Sequence, residues 1–233
     1  MRARTTLRGP RARQDGAFTR AVQTLEEDII FGRLLPRERL VEESLMLRLD
    51  TKRHVVRQAL AELQKVGIVV HERNKGAQVR DFSPEEVEHI YDLRALLQEH
   101  AARCMPLPAD PKLVARLTEI HERHAHAVER GDLRAVYRLN NAFHDSFFAA
   151  CGNPYLADAI ARYAWMAHAI RSYRMADPVR LRQARDEHAA MIRALREGDR
   201  ARLVRLCVEH IQPSKEVYLA AGAAERDRAR RSR

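Results

Sequence analysis

Residues 50–63 read DTKRHVVRQALAEL, and the character of the first third of the chain turns on them. Val56, Ala59, Leu60 and Leu63 recur at helical spacing, so one face of this run is apolar. Lys52, Arg53, His54 and Arg57 gather at its opening turns. Arg53 and Arg57 are four residues apart and therefore project from one face. Cations at a helix N-terminus oppose the helix dipole. An external anion removes that penalty, because phosphates accept hydrogen bonds from helix N-terminal N–H groups and from Lys and Arg.

Working outward, residues 17–32 carry Ala17, Val22, Leu25, Ile29 and Ile30 at helical spacing, closed by Gly32. A short helix fits residues 40–49. Asp50 tolerates a left-handed turn, and Asp50 or Thr51 is the expected cap of the next helix. After Gly67, the β-prone runs IVVHE and AQVRDF flank RNKG, which predicts a hairpin with Gly76 as its turn residue. Helix, short helix, turn, helix, hairpin is the order of a winged helix-turn-helix over residues 15–80. In that arrangement Lys52, Arg53, His54 and Arg57 face the major groove and Asn74, Lys75 and Gly76 form the wing.

From Ser83 onward the chain reads as helical. Ser83 caps, Pro84 takes the first helical position and Glu86 completes a capping box. Breaks predict about six helices, near 83–104, 111–130, 132–150, 154–175, 178–197 and 199–219. The fold class is therefore mainly α, an α+β head followed by an all-α bundle over residues 83–222.

The net charge is +10, but +8 of it lies in residues 1–14 and 223–233, which read as disordered basic tails. Bulk charge thus says little about the head. Cys104, Cys151 and Cys207 show no C-x-x-C spacing and fit a reduced, cytoplasmic setting. No stretch is apolar for the ~18 residues that a membrane span needs.

The bundle carries histidines in a pattern. Asn140 and His144 share a helix face, while His188 and His210 each lie eleven residues from Asp199. In an antiparallel hairpin turning there, both stand ~16 Å from the turn, side by side. Met191, Ile192, Leu195, Leu203, Leu206 and Cys207 place the apolar faces inward, so the two imidazoles point inward together. Converging imidazoles ligate a divalent ion such as Zn²⁺ or Ni²⁺, or donate to a buried anion. His121, His124 and His126 sit among charged residues and read as a solvated face. Trp165 reads as packing, and His168 stays open between packing and pocket.

Gly32, Pro36, Leu40, Glu42, Leu45, Arg53, Val56, Arg57, Ala59, Leu60, Gly67 and Gly76 follow the head pattern of the GntR family of bacterial transcription regulators, which the chain resembles. The resemblance puts Arg53 and Arg57 on the family's DNA-contacting arginines, Lys52 on a small hydroxyl position and Gly76 at the wing tip. It puts Arg37 on a turn glycine and Glu43 where some members carry an arginine contact. Phe143-His144, Gly152-Asn153, Glu187-His188, Gly198-Asp199 and His210 resemble the FCD ligand-binding domain of the FadR-type branch. That domain implies a metal held by one Asp and three His, and the ion helps bind a small carboxylate. Here Asn140 stands in place of the Asp, a neutral and weaker ligand. Arg94 falls on the L-R-x-x-L position and is the cation for an effector acid.

These features imply a homodimeric, effector-responsive regulator, a repressor by family habit. Its partners would be double-stranded operator DNA and a small organic acid, with no membrane. It would be no enzyme. Two rivals stay open on the residues alone. One is a metal-dependent enzyme fused to a DNA-binding head, and the other is a DNA-binding protein that senses nothing.

Overall fold

The computed structural model describes residues 16–72, 76–168, 170 and 177–231. The chain divides into two compact units, residues 1–80 and 81–233.

In the first unit, helix α1 (Gly16–Ile30) buries Phe18, Val22, Leu25 and Ile29. Helix α2 (Glu42–Leu49) adds Leu45, and α3 (Arg53–Lys65) adds Val56, Ala59, Leu60 and Leu63. The apolar stripe seen in the sequence is thus the face that α3 turns inward, mainly against α1. Strands β1 (Val69–Glu72) and β2 (Gly76–Val79) pair antiparallel, with Val69 opposite Val79 and Glu72 opposite Gly76. Asp28, buried on α1, is ion-paired with Arg33 at 2.5 Å and with Arg48 of α2 at 2.8 Å.

One local expectation changes. Neither Asp50 nor Thr51 caps α3; its N-cap is Lys52, extended and without a side-chain cap bond. The reason is local: Asp50 adopts a left-handed φ of 44°, and the amides of Asp50 and Thr51 close α2 on Leu47 and Met46. Arg37 holds φ 66° where the resemblance places a glycine, a strained conformation for a residue with a Cβ. Gly76 opens β2 opposite Glu72 at φ 79°, a left-handed conformation that suits the turn glycine expected there. Asn74, Lys75 and the basic stretch 1–14 lie outside the described residues.

The second unit is a helical bundle of α4 (Pro84–Cys104), α5 (Pro111–Glu129), α6 (Leu133–Ala149), α7 (Pro154–Met166), α8 (Pro178–Glu197), α9 (Arg200–Glu209) and α10 (Gln212–Arg231). Ser83 caps α4 in a full capping box with Glu86. Asp110, Asp132, Asn153, Asp177 and Asp199 each accept a backbone N–H at the next helix starts. Phe143, Phe147, Leu117, Met191, Leu195, Leu203 and Cys207 form the core. Helix α5 packs along α6 and α8, and α4 lies against α9 and α7.

The expected helix over 199–219 is two helices. Pro213 has no N–H to give the carbonyl four residues back and its ring crowds that turn, so the chain breaks after Glu209 and restarts at Gln212. The break puts His210 at the C-cap of α9. The helix expected over 154–175 ends at Met166. Residues 223–231, expected to be a disordered tail, continue α10, in keeping with the helix propensity of their Ala, Glu and Arg.

Candidate recognition helix and histidine centre

Lys52, Arg53, His54 and Arg57 are all exposed, on the side of α3 away from Val56 and Leu60. Arg53 Nη2 stands 2.7 Å from Glu43 Oε1, and Arg57 Nε stands 2.8 Å from Glu42 Oε1. The hydrogen bond from Arg57 lowers the Glu42 carboxyl below its usual range and raises the Arg57 guanidinium. The two arginines are therefore held by the acids of the preceding helix. The sequence reading missed these pairs, although Glu43 was visible as an acid in a basic position.

In the body, His144 of α6, His188 of α8 and His210 at the end of α9 come together. His144 Nε2 lies 3.1 Å from His210 Nε2 and 3.3 Å from His188 Nε2. His188 is fully buried and His210 nearly so. Phe143 stacks on the His188 ring at 4.1 Å between centroids. Burial, followed by the neighbouring His210 and His144, holds the His188 imidazole well below its ordinary pKa, so it is a neutral lone-pair donor. Asn140 is buried one turn before His144, with Nδ2 donating to Asn141 Oδ1 at 3.3 Å.

His210 Nδ1 faces Glu187 Oε2 at 2.5 Å, and Gln183 Nε2 donates to Glu187 Oε1 at 2.8 Å. A carboxylate on Nδ1 fixes the His210 tautomer with the proton on Nδ1 and the lone pair on Nε2, the arrangement found behind metal-bound histidines. Glu187 was legible only as the neighbour of His188, and its role needs the α8–α9 pairing to be seen.

These spacings suit an ion. Two nitrogens each about 2.0–2.1 Å from a shared tetrahedral ion stand ~3.3 Å apart. The observed 3.1 and 3.3 Å fall at that separation. One N–H on His144 Nε2 cannot serve both neighbours well, whereas three lone pairs on one cation leave no such conflict.

Arg94 of α4 is 6% exposed, and its Nε and Nη1 have no hydrogen-bond partner; the hydroxyl of Tyr91, over whose ring Arg94 lies at 4.7 Å, has none either. Unpaired donors on a buried guanidinium are costly, and a carboxylate is the group that would satisfy them. His168, left open by the sequence, is buried with Nδ1 2.8 Å from Tyr137 Oη, and Trp165 lies beside it at 5.7 Å between centroids.

His126 is exposed, as expected, but His124 is 1% exposed and His121 half-buried, so the solvated face expected for those two is corrected. His124 continues the stripe of Leu117 and Ile120 at i+7 and i+4, the signal that could have found it.

A winged helix-turn-helix with an exposed basic recognition helix, in one chain with a histidine-bearing helical domain, defines a DNA-binding transcription regulator. The chain belongs to the GntR family of bacterial regulatory proteins with an FCD domain: residues 18–79 match "Bacterial regulatory proteins, gntR family" and residues 89–213 match the FCD domain. It is 28% identical to the uncharacterized HTH-type transcriptional regulator BphR of Paraburkholderia xenovorans, across 86% of this chain and 84% of the relative. It is 27% identical to the HTH-type transcriptional repressor GlaR of Escherichia coli, across 80% of this chain and 89% of the relative. Among solved structures, E. coli McbR/YncC shares the fold with a TM-score of 0.71 at 20% identity, over 89% of this chain and 99% of that one. Among the described residues no helix is long and apolar enough to cross a membrane.

Proposed function

We propose that this protein is a homodimeric repressor whose FCD domain senses a small carboxylate, and that Lys52, Arg53, His54, Arg57 and the wing at Asn74, Lys75 and Gly76 contact the operator. The observation that carries the sensing role is the meeting of His144, His188 and His210 through nitrogens 3.1 and 3.3 Å apart, in a domain that also buries an unpaired Arg94. His144, His188 and His210 would hold a divalent ion of the Zn²⁺ or Ni²⁺ class, with Asn140 as the neutral fourth candidate. The ion would supply positive charge to the acid, and Arg94 would take the acid's second oxygen or a second carboxylate. Effector binding would favour one arrangement of the two heads of the dimer and so change the fit to the operator half-sites.

The repressor sense is carried over from GlaR, whose name states it. Nearby Glu187, bound to His210 and Gln183, is engaged in orienting a ligand and not poised against water, which favours a sensor over a hydrolytic centre.

The test is an operator-binding titration with a panel of mono- and dicarboxylates. One or more acids should weaken the wild-type complex at least tenfold, and Arg94→Gln should bind operator equally well but ignore them. If no acid alters binding, or Arg94→Gln responds like the wild type, the sensing role fails. Turnover of a responsive acid would instead favour the enzyme.

A further inference from the structure

A second cluster adjoins the first on the opposite side of His188. His121 and His124, one turn apart on α5, bring ring nitrogens into a group with His188 of α8 in which the candidate ligand atoms all lie within 4.8 Å of one another. The Nδ1 atoms of His121, His124 and His188 are all buried and have no hydrogen-bond partner. The His124 and His188 rings stand 5.1 Å apart between centroids, inclined at 51°, which excludes simple stacking as the purpose of the contact. His188 uses Nε2 toward His144, so its Nδ1 is the nitrogen available to this side.

Three buried nitrogens left unpaired in one place are unfavourable unless something fills the space between them. Water needs two to four polar partners and could fill it, but three imidazole nitrogens in this grouping match a borderline cation better than they match water. Arg185 acts on both His121 and His124, and Arg193 more weakly on His121; the Arg185 Nε is itself paired with Asp186 at 2.8 Å. His121 is half-buried and gives the cluster an edge open to solvent, by which an ion can enter.

We propose that His121, His124 and His188 form a second divalent-cation site, for Zn²⁺, Ni²⁺, Co²⁺ or Cu²⁺ and not for Mg²⁺ or Ca²⁺, joined to the His144–His188–His210 site through the His188 ring. The donor set is all imidazole, which suits borderline metals and gives hard, oxygen-seeking ions no ligand. Three protein ligands leave the fourth position to water or a small anion. Holding both ions at once would require His188 to offer Nε2 on one side and Nδ1 on the other, and so to give its last ring proton to solvent.

The test uses the full chain, freed of any affinity tag, stripped with chelator and titrated with Co²⁺, with bound metal counted and the visible d–d bands recorded. Wild type should take two equivalents with distinguishable spectra. His121→Ala with His124→Gln should take one, with the spectrum of the first site. His144→Ala with His210→Gln should also take one, with the other spectrum, and His188→Ala should take none. Far-UV circular dichroism checks each variant, and the single His121→Ala, at a half-exposed position, serves if the pair misfolds: it should lose only the second equivalent. Saturation of the wild type at a single equivalent that His121→Ala retains, or a second equivalent unaffected by His121→Ala, overturns the proposal. Two equivalents with loss of binding only in the His144/His210 variant would overturn it as well. Loss of the first site alone would leave the second standing, so the two assignments fail separately.

Discussion

Replacing Arg94 by methionine should make the ligand-free protein more stable while removing its response to acids. Arg94 is 6% exposed, with Nε and Nη1 unpaired. Leaving a buried donor unsatisfied costs about 1–3 kcal/mol, more on a charged group. Exchanging buried ionic groups for apolar side chains of similar volume often stabilises a fold by about 1–4 kcal/mol. Against this, the substitution gives up the cation–π contact with Tyr91, whose centroid is 4.7 Å away, a loss of about 0.5–2 kcal/mol. These terms span a loss of about 1 to a gain of about 3.5 kcal/mol, with a gain of about 1 kcal/mol at the centre. At about 2–4 °C per kcal/mol for a chain of this size, that central gain raises the midpoint by roughly 2–4 °C in calorimetry without effector. An effector acid at about 100 times its Kd should add roughly 2.7 kcal/mol to the wild type and nothing to Arg94→Met. A variant less stable than the wild type that still gains stability from acids would refute the reasoning, since Arg94 would then be a paired structural cation.

Three further outcomes follow from the same structure. Glu42→Gln with Glu43→Gln should tighten operator binding about 2- to 30-fold, because two exposed ion pairs no longer compete with DNA for Arg57 and Arg53; fluorescence anisotropy that shows weaker binding would mean the acids aim the arginines. Glu187→Gln should lower metal affinity about 10- to 100-fold by loosening His210, while leaving helix content unchanged; calorimetric titration with Zn²⁺ checks this, and an unchanged affinity contradicts it. In metal-free protein, burial first, then His121 and Arg185, push His124 down to about 4 from an ordinary 6.5. Its folded form thus binds fewer protons than the unfolded chain, so the stability it carries is full above pH 6.5 and declines toward pH 4, by roughly 3 kcal/mol. Urea unfolding of chelator-treated protein between those limits should show the midpoint falling, and a flat profile would refute it.

Much of this was legible before any coordinates. Ser83-Pro84-Glu86 and the Asp or Asn at positions 110, 132, 153, 177 and 199 mark helix starts because their side chains satisfy otherwise unpaired N–H groups, a strictly local effect. The equal spacing of His188 and His210 about Asp199 placed them side by side, and their ring centroids are 5.0 Å apart. What escaped depends on how helices rotate against one another. Glu119, Glu122 and Arg123 beside His121 suggest solvent, yet the stripe Leu117–Ile120–His124–Ala127 faces inward. The pairing of Arg53 and Arg57 with Glu43 and Glu42 joins two helices across a turn that the sequence period does not encode. Pro213 lies inside a run whose apolar spacing continues through it, so the break that sets His210 at a helix end is carried by one residue against the period.

The most direct test of the central claim is X-ray absorption at the metal edge of protein purified without chelator or metal affinity. We expect at least one divalent ion per chain in a first shell of imidazole nitrogens at about 2.0–2.1 Å, and one ion fewer in His144→Ala. A metal-free wild type, or a first shell of oxygens indifferent to that substitution, would contradict it.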